Sequence, residues 1–180
     1  MVEELPIVIL GATGGIGSCL ARLLSRRGHK LFLVGRNQAL LSQLGEETES
    51  KISLLIGPLG PAVEEAVLKA HKTLGVLGGI ANCIGSLALK PAHRTSYEEF
   101  KDNLETNLVS AFATVRGAAL TMRKSGGSVV LVSSVAAKFG LPNHEAIAAA
   151  KAGVEGLTLS AAASYARYQL RFNAVAPGLT

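Results

Sequence analysis

The sequence predicts a doubly wound parallel α/β sheet in three α/β/α layers, and three observations lead there. Short apolar segments alternate with longer helical ones along the chain, the first of them runs directly into a glycine turn, and small residues dominate the remainder. Of 180 residues 48% are hydrophobic, only 4% are aromatic and 20 are glycine, which suits buried strands closely wrapped by alanine-rich helices. A chain of this length buries about 70% of its unfolded surface, enough for one substantial core. No internal repeat, proline-rich linker or low-complexity tract interrupts it, so residues 1–180 are expected to form a single domain.

The first strand is expected at Pro6 to Leu10, within the apolar run Leu5, Ile7, Val8, Ile9 and Leu10. Gly11-Ala12-Thr13-Gly14-Gly15-Ile16-Gly17 follows, and then Cys19, Leu20, Leu23 and Leu24 at helical spacing place a helix over Gly15 to Arg27. Gly11 permits the sharp turn, Gly15 lets backbone approach a pyrophosphate, and Gly17 lets the helix sit close on the strand. The free N–H groups of the first helical turn and the positive end of its dipole would then face phosphates. A tight turn with no ligand is the alternative.

The second strand, Lys30 to Val34, favours the ligand. It ends at Gly35-Arg36-Asn37, about 20 residues past the glycines, where a dinucleotide fold places its ribose selector. An acid there would repel a 2′-phosphate, whereas Arg36 offers a planar fork that suits one. A solvated arginine at a strand end is the other reading of Arg36. On balance NADP is expected over NAD, with NAD possible.

Further helices are expected at Gln38 to Glu49, Pro61 to Thr73, Tyr97 to Met122 and Glu145 to Tyr168, and strands at Ile52 to Ile56, Gly79 to Asn82, Ser128 to Ser133 and Phe172 to Val175. Right-handed crossovers then give the strand order 3-2-1-4-5-6, with ligands at the carboxyl ends of the strands. Gly11, Arg36, Asn82, Ser134 and Pro177 all fall on that edge.

The net charge of +5 and isoelectric point near 9.4 do not point to nucleic acid, because the basic residues are scattered with no run longer than two. Cys19 and Cys83 have neither metal spacing nor a secretory context, and His29, His71, His93 and His144 form no metal motif. Reduced cysteines suit a cytoplasmic protein. With Glu3 and Glu4 at the N-terminus and no apolar stretch of 18 residues, neither a signal peptide nor a membrane span is expected.

From about Leu5 to the last residue the chain resembles the short-chain dehydrogenase/reductase family of Rossmann folds. The glycine turn resembles Gly11 to Gly17, which implies cofactor contacts at Gly11, Thr13, Gly15, Ile16 and Gly17. The Asn-Asn-Ala-Gly segment is represented by Asn82-Cys83-Ile84-Gly85, which adds Asn82 and Gly85. The helix asparagine matches Asn107, the active-site serine Ser134, the lysine Lys151, and the Pro-Gly after the sixth strand Pro177-Gly178. The resemblance implies carbonyl–alcohol hydride transfer on a small molecule. It also implies a homodimer or homotetramer, and small residues on the last two long helices, Ala111, Ala113, Gly117 and Ala118 on one and Ala148, Ala149, Ala152, Gly156, Ala162 and Ala163 on the other, suggest the interface.

Three departures matter. The family tyrosine is Ile147, four residues before Lys151, and has no ionisable proton. The acid after the third strand, which touches adenine in the family, gives way to Gly57-Pro58-Leu59. Family members also continue through a substrate-covering loop and helix to a seventh strand, so the lid and last strand are expected to lie outside residues 1–180. In the family mechanism, which this site resembles, lysine holds the nicotinamide ribose, serine polarises the carbonyl, and asparagine supports a water linked to the lysine. Lys151, Ser134 and Asn107 are present, but the proton relay is cut, a step worth about 10²–10⁴-fold.

A substitute donor must lie near the nicotinamide. Tyr165 and Tyr168 lie 18 and 21 residues beyond Ile147, or about 27–32 Å along a helix. His144, three residues before Ile147, is the candidate on a neighbouring part of the helix surface, with Asn143 as N-cap. A solvent-facing histidine is the alternative, and Tyr97 is a weaker candidate donor. Two functions therefore stand: an enzyme with a displaced donor or water in that role, or a catalytically weak NADP(H)-binding sensor or partner subunit.

Overall fold

The computed structural model describes residues 5–57 and 59–178. Six strands form one parallel sheet: β1 (Ile7–Leu10), β2 (Leu31–Gly35), β3 (Lys51–Leu54), β4 (Gly79–Asn82), β5 (Gly127–Val132) and β6 (Leu170–Val175), in the order β3-β2-β1-β4-β5-β6. The helices are α1 (Gly15–Arg26), α2 (Gln38–Glu47), α3 (Leu59–Leu74), α4 (Tyr97–Leu104), α5 (Ser110–Met122) and α6 (Glu145–Tyr165). The expected fold and strand order are those observed.

Continuous apolar strands make sense because both faces of the sheet are covered. Alternate residues of β1 and β2 divide between two cores. Val8, Leu10, Phe32 and Val34 join the core beneath α3, α5 and α6, whereas Ile9, Leu31 and Leu33 join the core with Ala21 of α1 and with Leu41 and Leu44 of α2. A strand with one wet face could not carry four such residues in succession.

Small residues let helices close on one another. A Cβ on Gly117 would stand 3.0 Å from Cβ of Val67, which fixes the close approach of α5 to α3. Ala111, Ala113 and Ala118 are likewise buried within the chain. Part of the expected interface stripe is therefore used internally. Of its small and apolar residues α6 leaves Ala149, Ala152, Gly156, Leu159 and Ala163 exposed, and α5 adds Phe112 and Leu120.

The expected helix Tyr97 to Met122 is interrupted by a π-helical turn at Glu105–Val109, which joins α4 to α5 and contains Asn107. Its start is a capping box, in which Ser96 Oγ accepts from the Glu99 N–H at 3.1 Å and Glu99 accepts from the Ser96 N–H at 2.8 Å. For α6 the N-cap is His144 rather than Asn143, because Asn143 sits at φ 63° in the turn before it. The same helix ends at Tyr165, and the chain turns through Gln169 at φ 55° into β6. The third strand stops at Leu54, leaving Ile56 77% exposed. Leu179 and Thr180 lie outside the described residues, as does Pro58.

Candidate functional site

The glycine turn carries the chain from β1 to α1 against the segment that follows β4. Gly11 has φ 74°, and a Cβ there would stand 2.8 Å from the Cys83 carbonyl carbon and the Ile84 nitrogen. A Cβ on Gly17 would collide with the Gly11 carbonyl oxygen. Gly15 has nothing within 4 Å of its Cβ position, no side chain caps α1, and no acid occupies its first turn. The first N–H groups of α1 thus lack a capping side chain, an arrangement fit for an anion. Ile16, 52% exposed, lies in this first turn.

Beside the turn, a cleft of about 230 Å³ is walled by Gly11, Thr13, Arg36, Leu55, Cys83 and Gly85, among others. Thr13 leans over Gly35, whose Cβ would stand 3.3 Å from Thr13 Oγ1, so a larger residue at position 35 would crowd the threonine. Arg36 stands exposed at the rim, and Leu55 and Leu59 line this end of the cleft with hydrocarbon. Burial raises the Cys83 thiol to about 11, which keeps it protonated.

Asn82 is turned inward. Its Nδ2 donates to Thr114 Oγ1 at 3.0 Å and its Oδ1 accepts from the Ile84 N–H at 2.9 Å, so the side chain fixes the turn that presents Cys83 to Gly85. Its polar atoms act on the cleft wall through the backbone.

Beyond Gly85 the expected site residues converge. A Cβ on Gly85 would stand 3.2 Å from Asn107 Oδ1 and 3.6 Å from Lys151 Nζ. The Asn107 side chain is buried, donating from Nδ2 to Asn103 O at 3.0 Å and Ser86 O at 3.2 Å while Oδ1 accepts from the Ser86 N–H at 3.3 Å. Lys151, 6% exposed, donates from Nζ to the Val132 carbonyl at 2.7 Å, and burial lowers its pKa from 10.5 to about 8. One turn earlier on α6 stands Ile147, 3% exposed.

Ser134 follows β5 with its Oγ accepting from the Ala136 N–H at 3.2 Å, which leaves the hydroxyl proton free to donate. The preceding Ser133 donates instead to Lys151 O at 3.2 Å or Glu155 Oε1 at 3.0 Å, fastening α6 to β5. Pro177 accepts from the Val135 N–H at 3.0 Å, and Gly178 lies against Val135, so the last described residues flank the serine turn.

The two candidate donors fare differently. His144 forms a hydrogen bond between Nδ1 and the Pro142 carbonyl at 2.7 Å, which requires Nδ1 to carry its proton and leaves Nε2 as the exchanging atom. Tyr97 is 88% exposed and lines a separate hollow with Phe100, Glu145 and Ala146. Ser86, the Val132 carbonyl and the Ser133–Glu155 tie were not singled out in the sequence; Ser86 was within reach, one residue past Gly85, whereas a backbone carbonyl has no sequence signal. Among the described residues no group of three or more His, Cys, Asp or Glu side chains could hold a metal, and no helix is long and apolar enough to cross a membrane.

Comparison with known proteins follows the same outline. Residues 6–180 match the short chain dehydrogenase family. The chain is 32% identical over 176 residues to carbonyl reductase family member 4 of Danio rerio, covering 96% of this chain and 74% of that protein. It is 33% identical over 174 residues to the 3-oxoacyl-[acyl-carrier-protein] reductase of Rattus norvegicus, covering 94% and 73%. Among solved structures, a citronellol catabolism dehydrogenase of Pseudomonas aeruginosa PAO1 superposes with a TM-score of 0.89 at 29% identity, over 97% of this chain and 74% of that one. An actinorhodin polyketide ketoreductase solved with NADPH gives 0.89 at 26% identity, over 99% and 71%.

Proposed function

The chain belongs to the short-chain dehydrogenase family, and on that premise we propose that it is an NADP-preferring oxidoreductase acting on a small carbonyl–alcohol pair at an atypical site. The observation that carries this reading is the buried Lys151 beside Gly85 and Asn107, a cation behind the cleft wall whose ammonium donates to a backbone carbonyl and, among the described residues, to no carboxylate. A structural lysine in a core would be costly to bury unpaired; a lysine kept for a ligand's hydroxyl groups accounts for it.

A bound nicotinamide would supply the hydride. Gly11, Thr13, Gly15, Ile16 and Gly17 would receive the pyrophosphate end, with the open N–H groups of α1 toward its charge. Arg36 would pair with a 2′-phosphate, and Gly85, Pro177 and Gly178 would flank the nicotinamide half. Lys151 would hold the ribose, Ser134 would donate a hydrogen bond to the substrate oxygen, and Asn107 would keep the Gly85–Ser86 wall in place. The related carbonyl and 3-oxoacyl reductases and the NADPH-bound ketoreductase support this cofactor and substrate class. Two unpaired cysteines support a cytoplasmic protein.

Ile147 favours the second reading, a weakly catalytic NADP(H)-binding sensor or partner subunit, because hydrocarbon fills the place of the ionisable group. Titrating NADPH by fluorescence beside a carbonyl panel separates the two. Binding with turnover supports the enzyme, and binding without turnover supports the sensor.

A further inference from the structure

We infer that Lys151 itself delivers the proton to the substrate oxygen, standing in for the phenol that Ile147 replaces. The inference rests on the oxidoreductase reading and names the acid of that site.

Lys151 is placed for the role. Ile147 and Lys151 are both buried and stand one turn apart on α6, and of the buried residues from Ala146 to Lys151 only the lysine carries an ionisable proton. One of its three N–H groups is spent on Val132 O. A Cβ on Gly85, which lines the cleft, would stand 3.6 Å from Nζ and 3.2 Å from Asn107 Oδ1, so the ammonium lies directly behind that part of the cleft wall.

Neighbouring titratable groups are engaged elsewhere. On α6, Glu155 accepts from Ser133 and lies 3.8 Å from Lys138. From the π-helical turn, Glu105 accepts from the Gly60 N–H at 3.3 Å. The segment after β4 brings Cys83, whose thiol stays protonated; on α4, which also packs against α6, Glu99 is paired with Lys90 at 2.6 Å and Glu98, Lys101 and Asp102 are exposed. His144 is tied at Nδ1 to Pro142. Burial alone lowers Lys151 to about 8, a value that makes its ammonium a usable acid near neutral pH.

In the step, the carbonyl carbon gains a hydride from the reduced dinucleotide as one Nζ–H bond breaks and an O–H bond forms. The products are the alcohol and a neutral lysine amine, which regains its proton from water. Ser134 shares the oxygen through its hydroxyl and neither gains nor loses a proton overall.

The test compares the parent with Lys151→Arg, because a guanidinium keeps the charge and the donors but does not deprotonate in the working range. NADPH affinity is read by fluorescence, and reduction of an aromatic aldehyde, an aliphatic ketone and a 3-oxoacyl thioester is followed from pH 6 to 10. We expect parent turnover to fall as pH rises through about 8. Lys151→Arg should bind NADPH within about tenfold of the parent, lose at least about 10²-fold in turnover and show no break. A second readout uses the NADP⁺-bound parent with ¹³Cε-labelled lysine. The Lys151 signal, assigned by its absence in Lys151→Arg or Lys151→Met, whichever folds, should titrate at the kinetic break. The proposal is overturned if the lysine titrates elsewhere, if Lys151→Arg keeps the parent's turnover, or if the break disappears in His144→Ala. Intact NADPH binding with no turnover of any carbonyl in the parent would overturn the oxidoreductase reading, and this one with it, and is told apart by the absence of any rate to profile.

Discussion

Ile147 and Lys151 stand one helical turn apart on the same face of α6, 3% and 6% exposed, and of the two only Lys151 can ionise. A charge buried beside hydrocarbon has a measurable consequence before any ligand binds. With Lys151 at about 8 in the folded protein and near its ordinary 10.5 when unfolded, the unfolded chain holds more protons between those values, so stability rises with pH across that window. Cys83 acts in the opposite sense, because its thiol is raised to about 11 from 9.0 and the unfolded chain loses that proton first. Cys83 contributes equally to the parent and to Lys151→Met, so the difference between their denaturant melts from pH 8 to 9 isolates the lysine. The slope there should be more positive in the parent than in Lys151→Met; equal slopes would contradict the assignment.

Cofactor choice should reside at the end of β2. Gly35 carries no acid and Arg36 is free to pair with phosphate, so NADPH should bind more tightly than NADH. Arg36→Ala should lose that preference, roughly 1–3 kcal/mol for a charge-assisted contact. Competitive titration of both cofactors checks it, and equal affinities in the parent would refute it.

Gly11→Ala should damage both fold and cleft. Its φ of 74° is unfavourable for alanine and the added methyl would press on Cys83 and Ile84. The strain amounts to about 1–3 kcal/mol before any displacement of the segment after β4. Thermal melts should show the loss, with NADPH affinity falling alongside; Gly15→Ala, which meets open space, should leave stability nearly unchanged.

Much of this was legible because two simple signals coincide. The run Ile7 to Leu10 is apolar at every position since both sheet faces are covered, and the glycine turn that follows fixes where α1 begins. The strand order then follows from alternation, and the family resemblance picked out Asn107 and Lys151, which meet behind Gly85. The π-helical turn at Glu105–Val109 was not legible, because one extra residue in a turn leaves the hydrophobic period almost untouched over a short stretch. Asn82 could be placed at the sheet edge, but a period-2 pattern does not say that its amide turns toward Thr114. Asn143 reads as a cap by residue type, yet its left-handed backbone gives that position to His144.

Assembly should use the exposed stripe on α6. Ala149, Ala152, Gly156, Leu159 and Ala163 recur at helical spacing, Leu159 is 74% exposed, and Phe112 of neighbouring α5 is 55% exposed. A two-fold pairing would bury the same patch on both copies. Sedimentation at micromolar concentration should give at least a dimer for the parent and a monomer for Leu159→Asp. A monomeric parent would refute the assembly.

The most direct measurement of the central claim, a hydride-transfer site lacking its usual proton donor, is the NADPH-dependent reduction rate of Ile147→Tyr against the parent on the same carbonyl panel. A phenol at position 147 would lie one turn from the Lys151 ammonium, which should lower its pKa and restore the relay. The predicted result is a rise of about tenfold or more in kcat, within the roughly 10²–10⁴-fold span of general acid–base catalysis, at unchanged NADPH affinity. Tight NADPH binding by both proteins with no reduction by either would contradict it.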